Sequence, residues 1–219
     1  MFPWISIALL AATAVSVPLS VSAADESPWY AGAGIGRGEA KRPGSWIEQA
    51  DLAFKAQGVT SVTNIGTGST AWKLYGGYQW DENLGVEAGY ARLGRFNGVS
   101  NVTAPAAATG SGTWDASAFS LAAVGTLPIK DRFSAIGKLG LAYTRLSVSA
   151  TAPGAGGAAV AFNPSNDRVN LMLGLGLRFD LSKKVGLRAE YEQYSNVGDA
   201  TKTGQTAIGV WSLGAQYRF

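Results

Sequence analysis

From Trp29 onward, hydrophobic and small or polar residues alternate in segments of about ten to thirteen residues. Alternate side chains of a strand face opposite sides, so each segment reads as a strand with one apolar face. The clearest lies at Arg168–Asp180. There Val169, Leu171, Leu173, Leu175, Leu177 and Phe179 alternate with Asn170, Met172, Gly174, Gly176 and Arg178. The same pattern predicts strands over residues 29–38, 70–80, 84–93, 115–127, 133–146, 168–180, 185–194 and 207–219. In the last, Trp211, Leu213, Ala215, Tyr217 and Phe219 share one parity. An amphipathic terminal strand needs partners, because a lone one leaves an open edge.

The connections alternate in length. Short turns are predicted at Asp81–Asn83, Pro128–Arg132 and Ser182–Lys184, and long connections at 39–69, 94–112, 147–166 and 196–206. The first long connection holds a predicted helix, Trp46–Lys55, with Ser45 as its cap. That helix is expected as a surface-loop helix; a lumen plug or an outside contact is the alternative. An even number of strands with this asymmetry predicts an all-β, eight-stranded antiparallel up-and-down transmembrane β-barrel, with short periplasmic turns and long extracellular loops. Its apolar faces meet lipid, and closure satisfies every backbone group where there is no water. A soluble barrel would bury the same faces inward. The aromatics favour the membrane form. Trp29, Tyr78, Trp80, Phe133, Phe179, Tyr217 and Phe219 fall at the lower ends of outward faces, and Trp72, Tyr90, Phe119, Tyr143, Tyr191 and Trp211 at the upper ends. Two interfacial girdles are expected.

Composition narrows the chemistry. The 219 residues contain no cysteine and no histidine, which excludes disulfides and thiolate or imidazole metal sites. No cofactor, metal or catalytic residue is expected, because barrel hydrolases and acyltransferases lean on a histidine base. A net charge of +3, scattered along the chain, gives no reason to expect nucleic acid. Residues 1–23 have an apolar run from Ile5 to Val17 and small residues before Ala24, as a cleaved secretory signal does, although Met1–Trp4 carries no Lys or Arg. A short membrane anchor is the alternative. Residues 24–219 then form a single barrel domain.

Several segments together resemble the OmpA-like transmembrane domain family. They are Gly76-Gly77-Tyr78-Gln79, Gly85-Val86-Glu87-Ala88-Gly89-Tyr90 with Leu93-Gly94-Arg95, Arg188-Ala189-Glu190-Tyr191, Asn196-Val197-Gly198-Asp199, Ser212-Leu213-Gly214 and Tyr217-Arg218-Phe219. The resemblance implies a bacterial outer-membrane protein with a structural or surface-interaction role, or a narrow passive pore gated by interior charge pairs. The chain stops at Phe219, which sets the expectation that the family's C-terminal peptidoglycan-binding domain is lacking. Glu87 and Arg188 match charged positions of the family, whereas Val124 and Arg178 stand where its pattern has lysine and glutamate.

Inward parity collects Lys73, Glu87, Lys138, Arg178, Arg188, Glu190, Glu192 and Arg218 as a lumen charge cluster. Enclosed charges must pair. The expected pairing shares Glu87 between Arg178 and Arg188 and sets Lys138 beside Glu190. Arg37, Arg92 and Arg145 have outward parity above the upper girdle, and their planar forks suit lipopolysaccharide phosphates. The Tyr217-Arg218-Phe219 ending resembles the assembly signal read by the barrel insertion machinery, with Tyr217 and Phe219 in the lower girdle. Expected partners are therefore outer-membrane lipid, lipopolysaccharide, that machinery and extracellular surface partners, with a monomer as the default.

Overall fold

The computed structural model describes residues 27–104, 107–153 and 158–219; the predicted signal, residues 1–23, lies outside them. Ten strands and one helix occur among the described residues, in the order β1 (Trp29–Ala40), α1 (Gly44–Ala56), β2 (Thr60–Ile65), β3 (Gly68–Gln79), β4 (Leu84–Ala104), β5 (Ala108–Lys130), β6 (Phe133–Pro153), β7 (Ala159–Phe162), β8 (Ser165–Asp180), β9 (Val185–Asp199) and β10 (Gly204–Arg218). Eight of them close a ring. Each pairs antiparallel with the next through β1, β3, β4, β5, β6, β8, β9 and β10, and β10 returns to β1 with Ala31 opposite Tyr217 and Ile35 opposite Leu213. No helix among the described residues is long and apolar enough to cross a membrane.

Local chemistry sets the lower turns. Asp81 accepts hydrogen bonds from the Asn83 and Leu84 amides at 2.7 and 2.8 Å. Ser182 does the same for Lys184 and Val185 at 3.3 and 3.1 Å. These side chains satisfy donors that a tight reversal leaves without a ladder partner. Outward faces carry Leu121, Leu139, Leu141, Leu175 and Leu213, all exposed. The girdle aromatics pair across strands, as Trp29 with Tyr78 at 4.9 Å and Phe133 with Phe179 at 4.6 Å below, and Tyr90 with Phe119 at 4.7 Å and Tyr191 with Trp211 at 4.6 Å above.

The upper half departs from the expected loops. The predicted connections 94–112 and 147–166 are largely strand, because β4, β5 and β6 run on past the upper girdle. β2 joins the extension of β4, and β7 joins that of β6. The missed strands have a physical cause. A bulge at Gly94, whose φ is 150°, shifts the register between Arg92 and Gly94. Large inward residues therefore pass from Leu93 to Phe96, which breaks the alternation in sequence.

The helix is also placed differently from the surface-loop expectation. Trp46, Ala50 and Phe54, one face at helical spacing, are fully buried. Trp46 packs on Phe96 with ring centroids 5.6 Å apart, in a core with Leu93, Trp114, Leu146 and Ile208. A second small core joins Phe54 and Val59 to Val102, Ala150 and Ala152. Pro43, not Ser45, precedes the helix, and no side chain caps it. Ser45 instead lies in the first turn and ties the helix to β10. Its hydroxyl donates to the Gln205 carbonyl at 2.6 Å and accepts the Gln205 amide at 2.7 Å. Asp51 holds the helix to β2 by accepting from the Ser61 and Thr63 hydroxyls at 2.8 and 2.7 Å.

Candidate functional site

The lumen at membrane depth is filled by three cations and three carboxylates. Lys73 on β3 reaches Glu190 at 2.5 Å and Glu192 at 2.9 Å, both on β9. Lys138 on β6 touches all three acids, Glu87 at 2.5 Å and Glu190 and Glu192 at 2.8 Å each. Arg188 on β9 spreads its fork between Glu87 at 2.8 Å and Glu190 at 2.6 Å. Alternation explains the assembly, since inward positions from β3, β4, β6 and β9 converge on one level of a narrow ring. The network balances to zero formal charge. Each buried ion would cost several kcal/mol without a partner, and each carboxylate here has at least two.

Three tyrosines and a glutamine complete it. Tyr30 donates to Glu87 at 3.2 Å, Tyr194 donates to Glu192 at 3.1 Å, and Gln216 accepts from Arg188 at 3.1 Å. The Tyr75 ring sits among the cations, 4.6 Å from the Arg188 guanidinium carbon and 5.4 and 5.5 Å from the Lys73 and Lys138 nitrogens. These partners were not singled out from the sequence. Tyr75 shares inward parity with Lys73, which was the available signal.

Lys138 and Glu190 meet as expected, but Glu87 is not shared with Arg178. Lys138 takes that place, and Arg178 pairs with Asp180 at 3.1 Å near the lower mouth. Lys138 lies directly opposite Val124 on the adjoining strand. Arg218 also lies at the lower mouth, donating to Gln79 at 3.2 Å.

The network divides the lumen. Voids of about 10 Å³ lie on either side, one against Tyr30, Val124 and Gln216 and one against Ser120, Glu192 and Tyr194. Each has room for about one water. Below, a polar vestibule of about 810 Å³ opens between Asp81, Asp131, Arg178 and Lys183. Above, the apolar core around Trp46 fills the ring.

The three outward arginines do not form one site. Arg145 forks onto Asp167 at 2.7 and 2.6 Å. Arg92 binds Asp115, which Arg95 also reaches at 2.9 Å. Arg37, on the far side of β3, lays its guanidinium against Gly68 and contacts Glu39 at 3.7 Å.

This geometry can be set beside known proteins. A family model described as the OmpA-like transmembrane domain matches residues 24–219. The chain belongs to that family. Outer membrane protein A of Shigella flexneri is 28% identical over 218 residues, covering 98% of this chain and 55% of the relative. The Serratia marcescens protein of the same name is 29% identical over 220 residues, with the same coverage. The chain thus spans about half the length of the curated relatives it matches. Among solved structures, Neisserial surface protein A is similar with a TM-score of 0.55 and 15% identity, covering 90% of this chain and all of that one. OprG from Pseudomonas aeruginosa gives 0.51 and 15%, covering 89% and 97%. At such identities the likeness shows a shared barrel fold. Family and fold place this OmpA-like domain in the bacterial outer membrane.

Proposed function

We propose that this OmpA-like domain is a non-conducting, non-catalytic anchor that holds a folded extracellular cap at the cell surface for structural or adhesion-type contacts. The observation that carries this reading is the double closure of the ring. A neutral, fully partnered charge network is followed upward by a packed apolar core containing α1. A gated pore would have to break buried ion pairs and also eject Trp46 and Phe54. Reconstituted in planar bilayers, the wild-type barrel should give no single-channel steps. Regular steps would instead favour the narrow-pore alternative. The non-catalytic part rests on the chain's lack of histidine.

Two partners belong to the same proposal. The upper rim contacts lipopolysaccharide phosphates, and the C-terminal strand is read by the barrel insertion machinery. Supporting the second, Phe219 packs against Tyr217 at 5.5 Å and its amide donates to the Trp29 carbonyl at 3.2 Å, where the ring closes. Deleting Phe219 should lower the yield of inserted barrel; an unchanged yield would remove it as a signal.

A further inference from the structure

Every ion of the lumen network is paired, yet one donor is left over on its lower side. Arg188 gives its two terminal nitrogens to Glu87, Gln216 and Glu190, and its side chain is only 2% exposed. Its Nε–H is buried and has no hydrogen-bond partner among the described residues. Directly opposite, on β8, stands Arg178, whose Nε–H is buried in the same condition. That nitrogen lies 3.1 Å from Asp180 without forming a hydrogen bond to it. A buried donor left unpaired is costly, and more so on a charged group.

Both arginines line the void of about 10 Å³ beneath the network. Among the described residues they are its only charged lining, and no carboxylate lines it. Glu87 and Glu190 are engaged above it by Lys138 and Arg188, and Asp180 lines the vestibule instead. Like charges directly opposite one another in a sheet repel. A water would answer the unpaired donors but not that repulsion; an anion answers both. Thr126 adds a hydroxyl to the wall, and Gln216, whose oxygen is taken by Arg188, adds its amide nitrogen. Size narrows the class. Room for about one water-sized sphere admits a monatomic anion and excludes phosphate or sulfate. Arg178 and Gln79 line both the void and the vestibule below, so an ion arriving from the lower mouth meets a cation first.

We propose that this void is a binding site for one monatomic anion of the halide class, held between Arg178 and Arg188. The ion neutralises the facing guanidinium groups and accepts the donors that the protein leaves unpaired.

Two measurements on the whole barrel test this. Crystals grown in bromide should show an anomalous peak between Arg178 and Arg188. Urea unfolding in vesicles, with chloride exchanged for gluconate at constant ionic strength, keeps general screening fixed. Above the dissociation constant, a roughly tenfold rise in chloride should raise the folding constant by the same factor, because one ion is taken up on folding. Arg178→Gln should abolish that response. Val124→Leu, which fills the void and alters no charge, should abolish it too. Lys183→Gln, which changes the vestibule but not the void, should keep it. A bromide map without a peak at the void would overturn the proposal, as would equal wild-type stability in chloride and gluconate. A response that survives Val124→Leu, or one lost only in the Lys183 variant, would put the anion elsewhere and overturn it as well. Single-channel recordings bear on none of these outcomes, so this site and the anchor reading fail separately.

Discussion

The barrel wall below the upper girdle and its continuation above obey opposite rules. On β6, Leu139, Leu141 and Tyr143 face out and Lys138 faces in. A few residues further along the same strand, Arg145, Ser147 and Ser149 face out, while Leu146, Val148 and Ala150 face in. The parity of the strand is unbroken; only the polarity has exchanged sides. On β5 the change falls between Ser117 and Phe119 on the outer face, with Trp114 buried above. Lipid surrounds the lower part, so apolar groups stabilise it from outside and charges are confined within. Water surrounds the upper part, so burial in an ordinary core favours the reverse. One continuous strand can serve both solvents because the backbone pairs identically in each.

The comparison breaks most readily at the lower interior. Lys138→Met leaves three carboxylates with only Lys73 and Arg188. It should destabilise the barrel by about 3–5 kcal/mol, the usual cost of uncompensating a buried ion pair. Urea unfolding in lipid bilayers measures this, and a loss below about 1 kcal/mol would remove the network from the stability of the fold. A matched pair on the outer face sharpens the contrast. Leu139→Lys, midway between the girdles, should cost about 2–4 kcal/mol, whereas Ser149→Lys, outward on the same strand but in water, should be near neutral. Similar costs at both positions would mean that the lipid boundary does not lie at the upper girdle.

The smallest effect concerns the β9–β10 connection. The Asp199 carboxyl accepts the Thr201 hydroxyl at 2.7 Å, the Thr201 amide at 2.9 Å and the Lys202 amide at 3.2 Å. Led by the Thr201 hydroxyl, these bonds hold its pKa below the usual carboxylate value. A depressed carboxyl stabilises the folded turn above its unfolded pKa, and that contribution disappears as pH falls through the folded one. Amide exchange at Thr201 and Lys202 should therefore quicken on acidification while the β6 and β8 amides stay protected. Asp199→Asn should weaken that pH response.

Much of this was legible in one dimension. The eight-strand meander, both girdles and the inward charges follow from period-two alternation, which lipid on one side makes strict. The upper extensions were hidden for a local reason. The apolar set on β6 steps from Tyr143 to Leu146, and on β4 from Leu93 to Phe96, so the alternating pattern stops where the surroundings change. Of the candidate residues, parity placed Lys73, Glu87, Lys138, Arg188, Glu190 and Glu192 inside but not their partners. Cross-strand level depends on shear, which no single strand encodes.

By itself, then, the sequence determined which side chains share a face, because that depends only on backbone geometry along one strand. The tertiary structure alone decided which of them meet. Ring closure and stagger brought Lys138 rather than Arg178 to Glu87 and turned the helix face of Trp46 inward as a plug. Each of these depends on the relative height of strands distant in the chain, a quantity set when the last strand pairs with the first.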